Sequence, residues 1–217
     1  MRAGKCVGVA GVGRLLLGVL AATVSGWGGC GDDTIVHPPP TDAGTLTLVY
    51  EPTPPQVSGL SLDQMRFKME GIAVIGDVAP DARTMVGYEV EIDMLGAPES
   101  YGFPLAPPGL YSRVRCNVDE IRFQGTYNGL PLQAQIEADG MVVDLRDAAG
   151  RELGADSVTF EVTMDGSQWF ANGVLDSAVV SGGQIVIDQN NNLAVGHTLA
   201  QQAVSSFALK PAQPPTR

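Results

Sequence analysis

Four small groups of residues in this 217-residue chain have the types and spacing that chemistry needs. Glu89, Glu91 and Asp93 occupy alternate positions in "GYEVEIDM". On an extended strand they share a face about 7 Å apart, within the separation of the carboxylates in an inverting glycoside hydrolase. The solvated side of an ordinary strand carries the same ladder. Asp188, Asn190 and Asn192 alternate in "IDQNNNLAVG" as the oxygen ligands of a calcium loop do. Leu193 stands where such a loop needs glycine and Leu199 where it needs an acid, and asparagines of this kind also cap helices and close turns. In "GSQWFANG" Trp169 lies near Gln168 and Asn172, so the indole has the company to stack on a sugar ring while the amides meet its hydroxyls. The competing role is a ring that plugs the core beneath a loop. The fourth group is Cys30, closing "GWGGC".

Other chemistries lack their residues. The body carries one histidine, His197, with no G-x-S-x-G elbow before it, so no nucleophilic triad can be assembled. The sequence holds no H-E-x-x-H, no C-x-x-C and no phosphate-binding glycine loop, which leaves zinc, dithiol and nucleotide chemistry without support. No cofactor is expected. His37 stands among prolines and reads as a solvated residue. Cys116 has no histidine near it in sequence and reads as a small buried hydrophobe. Three of the 13 basic residues and none of the 24 acidic ones fall in the first 29, so the remainder is formally −14. That charge repels nucleic acid and anionic lipid headgroups, favours cationic partners or divalent ions, and promotes solubility.

The amino-terminal residues give Cys30 its context. Arg2, Lys5 and Arg14 precede the apolar run "LLLGVLAATV", which is too short to span a bilayer. Charge, apolar run and small residues in that order predict a secretory signal peptide over 1–29. Gly28 and Gly29 put minimal bulk immediately before Cys30, where a peptidase cleaves and a thiol can take a diacylglycerol. The segment resembles the bacterial lipoprotein signal, with Trp27 at the position where that family usually places leucine. The resemblance implies a lipidated Cys30 and a membrane partner held through the lipid. It also implies a place in the cell envelope, the outer membrane rather than the inner because Gly31 separates Cys30 from Asp32 and Asp33. Residues 30–44, with Pro38, Pro39 and Pro40 in a row, read as an extended tether.

The elements that must position the remaining candidates alternate with period two. Leu46, Leu48 and Tyr50 form one such set, and Met65, Phe67 and Met69 another against Arg66, Lys68 and Glu70. Val86, Tyr88, Val90, Ile92 and Met94 oppose the acidic ladder, and Val158, Phe160, Val162 and Met164 repeat the pattern. Asn128–Gly129 predicts a two-residue hairpin of the type that needs positive φ. Val114, Cys116 and Val118 fall out of phase with Ile121 and Phe123, so a bulge is expected near Asp119 and Glu120. "NNNLAVGHTLAQQAVSSFAL" predicts a helix with Leu193, Gly196, Ala200, Ala203 and Phe207 inward and Asn190 to Asn192 as caps.

Many short strands with Gly and Pro turns and one terminal helix predict a mainly β protein, an antiparallel β-sandwich over 45–209 with one C-terminal α-helix. An unstructured proline-rich tail is expected over 210–217. "LAPPGLYSRVRCNVDEI" and "MDGSQWFANGVLDSAVV" resemble a domain of unknown function found in bacterial lipoproteins. That likeness implies a sandwich of carbohydrate-binding-like, immunoglobulin-like or transthyretin-like type and carries no catalytic residues. The expected function is a non-catalytic binding or interaction module facing a glycan or an envelope protein. The alternatives are a carbohydrate-active hydrolase using paired carboxylates and a purely structural envelope protein.

Overall fold

The computed structural model describes residues 44–76, 83–86 (backbone only) and 89–212. Cys30, the expected leader and tether, and the side chains of Val86 and Tyr88 lie outside the described residues. The chain opens with β1 (Gly44–Thr53), β2 (Leu60–Gly76), β3 (Arg83–Val86) and β4 (Val90–Asp93). It continues through β5 (Glu99–Ala106), β6 (Gly109–Tyr127), β7 (Leu130–Glu137), β8 (Val142–Leu153) and β9 (Val158–Asp165). A single helical turn, α1 (Gly166–Trp169), and a 3-10 segment (Ala171–Ser177) lead to β10 (Val180–Ser181) and β11 (Gln184–Ile187). Helix α2 (Leu193–Ser205) and β12 (Phe207–Leu209) complete the described elements.

The strands form two sheets packed over one core, a β-sandwich with a C-terminal helix. One sheet has the order β12-β9-β1-β5; the other runs β10-β11-β7-β6-β2-β3, with β4 also on β2 and β8 also on β6. The period-two sets are the core: Leu46, Leu48, Tyr50, Phe160, Val162 and Met164 from the first sheet and Met65, Phe67 and Met69 from the second are at most 1% exposed. Each of these Leu, Val, Phe and Met side chains contributes about 1.5–3 kcal/mol by leaving water.

Strands β2 and β6 are long because each changes its outer partner midway. β2 pairs β4 through Arg66–Met69 and β3 through Ile72–Ile75, while β6 pairs β8 up to Asn117 and β7 from Glu120. The β2–β6 register shifts between Lys68 and Met69, opposite Glu120 and Val118. Asp119 is therefore the extra residue of a bulge, and Val118 and Ile121 are both buried beneath it. The hairpin at Asn128–Gly129 is formed, with φ of 49° and 80° and Tyr127 opposite Leu130.

Three expectations change. The sandwich is not wholly antiparallel, since β1 pairs β9 and β7 pairs β11 in parallel. The chain reaches β9 and β11 only after travelling through other strands, so each can return beside an earlier strand in the same direction, which side-chain alternation does not encode. Leu193, expected inward, is 50% exposed, and Phe207 belongs to β12, where it pairs with Met164. The buried face of α2 is instead Val195, Gly196, Leu199, Ala200 and Ala203. Lys210, expected in a free tail, donates its N–H to Glu161 O and pairs with Glu161 and Glu51. Arg151 of β8 closes this margin, bonding Asp147, Thr159 O and Lys210 O with its guanidinium 4.6 Å from the Phe160 ring centroid.

Candidate functional site

The strongest aromatic candidate is internal. Asp165 ends β9 and caps α1, its Oδ1 accepting the Ser167 N–H at 3.0 Å. The turn carries Trp169 inward, where it is 1% exposed and 5.4 Å from the Phe67 ring. Its Nε1 donates to Ser206 Oγ at 2.8 Å, and Ser206 in turn donates to Ala203 O at 2.7 Å. With its ring enclosed and its polar atom satisfied, Trp169 cannot stack on a sugar, so the ligand-binding expectation at this residue is corrected. Gln168 and Asn172 are exposed and border an open depression of about 400 Å³ together with Thr198 and Gln201. Gln168 donates to Asp165 Oδ2 at 3.1 Å.

The asparagine loop holds itself. Asp188 Oδ1 accepts the N–H groups of Asn190 and Asn191, both at 2.7 Å, and the Asn191 amide donates to both carboxylate oxygens. The Asn190 N–H above all, with the Asn191 groups, keeps the Asp188 carboxyl below its ordinary range. Asn192, in the left-handed region at φ 54°, donates to Val179 O and Val186 O and accepts the Val179 N–H. The oxygens expected to face a cation at Asp188 and Asn192 are thus spent on turn closure, and Asn190 contributes its backbone. Asn192 precedes α2 without a side-chain capping bond. Among the described residues no group of three or more His, Cys, Asp or Glu could hold a metal ion.

The acidic ladder faces cations on the neighbouring strand. Arg66 reaches Glu91 at 3.5 Å and Asp93 at 3.6 Å, and Lys68 reaches Glu89 at 3.1 Å and Asp119 at 2.7 Å. Asp119 first, then Glu89, holds the lysine above its ordinary value. Cys116 is buried with its Sγ 3.3 Å from Met69 Sδ, and burial pushes its thiol up to about 12. His197 is exposed on α2.

Sequence reasoning missed a surface of exposed polar side chains. On the outer face of the larger sheet, Gln64 stands opposite Gln124 and Gln124 opposite Gln133. One step along, Arg66 stands opposite Arg122 and Arg122 opposite Gln135. All six are exposed and line one depression of about 410 Å³. The signal was present only as alternate polar positions in "QMR", "RFQ" and "QAQ"; register alone brings them together. No family model, curated protein or solved structure matches the chain.

Proposed function

We propose that this chain is a lipid-anchored cell-envelope lipoprotein whose sandwich is a non-catalytic binding or interaction module. The observation that carries the reading is the order of basic residues, short apolar run, two glycines and Cys30 within the first thirty positions. Each buried methylene of an acyl chain contributes about 0.8 kcal/mol, so two or more chains make the attachment durable. Gly31 ahead of Asp32 and Asp33 favours the outer membrane. Among the described residues no helix is long and apolar enough to cross a membrane.

Labelling with radioactive palmitate during expression in a bacterial host tests the anchor. The parent is expected to take the label and sediment with membranes, and Cys30→Ser to lose both properties. An unlabelled parent, with the variant processed and located identically, overturns the reading.

A further inference from the structure

The exposed face described above sorts its side chains into cross-strand rows, three glutamines in one and two arginines with a glutamine in the next. Neighbouring strands lie about 4.8 Å apart, so each row spans about 10 Å. The depression of about 410 Å³ is within the range of small-ligand sites.

Two properties of the rows define what fits. First, Gln64, Gln124, Gln133 and Gln135 have no side-chain partner among the described residues. Each amide offers two donor hydrogens and an acceptor oxygen, so the face presents matched donors and acceptors rather than one kind. Second, two guanidinium groups directly opposite one another would destabilise the sheet if bare, and both are compensated. Arg66 is paired with Glu91 and Asp93, and Arg122 with Glu120. The two arginine side chains stay 44% and 54% exposed, so N–H donors remain available while no surplus positive charge remains to draw an anion. Phe123 and Ala134, the apolar residues among those lining the depression, are buried, so it presents little apolar surface to peptide side chains. An extended peptide would seek the backbone groups of a sheet edge, not a face.

The geometry points to a binding site for a neutral, hydroxyl-rich oligosaccharide across β2, β6 and β7. The glutamine row exchanges hydrogen bonds with hydroxyls of one sugar unit, and the arginine row donates to oxygens of the next. The methylene stems of the same side chains cover the ring faces. This rests on the binding-module reading and gives it a ligand class.

Isothermal titration calorimetry of the full chain in detergent tests the site with cellohexaose, maltohexaose and chitohexaose, using hexagalacturonate as the acidic control. At least one neutral hexamer binds, with affinity little changed between low and high salt because no net charge pairs. The acidic hexamer binds about tenfold or more weaker, and Gln124→Ala with Gln133→Ala loses about tenfold or more, the scale of one or two hydrogen bonds left unmade. Arg122→Gln loses a similar amount, while Gln201→Ala on α2 binds as the parent does. Circular dichroism and thermal midpoints establish that each variant is folded. Neither Gln124 nor Gln133 has a side-chain partner among the described residues, so the pair remains informative even if Arg122→Gln unfolds. Silence from all three neutral hexamers, equal or tighter binding of hexagalacturonate, or parent-like binding by the glutamine double variant overturns the site. Pull-down of an envelope partner that the double variant still captures also overturns it, and leaves the module and the Cys30 anchor standing.

Discussion

At the scale of single residues, burial decides which candidates keep a chemical role. Trp169 has the sequence neighbours of a stacking platform, yet its ring lies under α2 because Asp165 caps the turn that carries it there and Ser206 accepts its N–H. Nothing local to "GSQWFANG" reveals Ser206, which lies 37 residues further on. Ser206→Ala strands the indole donor in the core and is expected to cost about 1–3 kcal/mol in urea unfolding. Cys116 was legible, because its phase among Val114 and Val118 places it inward. Its thiol is held protonated from an ordinary 9.0 up to about 12. Below pH 9 both folded and unfolded chains keep that proton; above it the unfolded chain releases it first, so stability falls as pH rises towards 12. Parent stability is therefore expected to drop between pH 8 and 10.5 by about 2 kcal/mol more than that of Cys116→Ala. Urea unfolding of both proteins at the two pH values reads the difference.

At the scale of elements, the alternation of apolar residues gave the strands, the hairpin and the bulge, since each is a local consequence of a two-residue period or a turn that needs positive φ. Gly129→Ala tests the hairpin. At φ 80° an added Cβ strains the turn, and a loss of about 1–2 kcal/mol in urea unfolding is expected. The terminal helix was legible in existence and imperfectly in phase. Its contact with the sheet is fixed by Gly196, where a Cβ would stand 3.2 Å from Ile187 Cγ2, and such close approach selects the face. Strand direction was not legible. Neither the parallel β1–β9 pair nor the β7–β11 pair leaves a trace in alternation. The glutamine and arginine rows were invisible for the same reason: Gln64 and Gln124 lie sixty positions apart, and only pairing register makes them neighbours.

At the scale of the whole molecule, a body rich in acidic side chains keeps its cations for specific duties. Lys68, Arg66, Arg113, Arg122 and Lys210 each hold at least one carboxylate, and Arg151 stitches the margin between the two sheets. The strand that begins the described body is also the one most deeply flanked in its sheet. β1 has β5 along one side and β9 along the other for most of its length. A force applied at Gly44 along the axis of β1 would therefore act against ladders of bonds that lie crosswise to it. Those bonds would share the load together instead of parting one after another, so β1 is expected to resist extension more stiffly than the outer strands of its sheet.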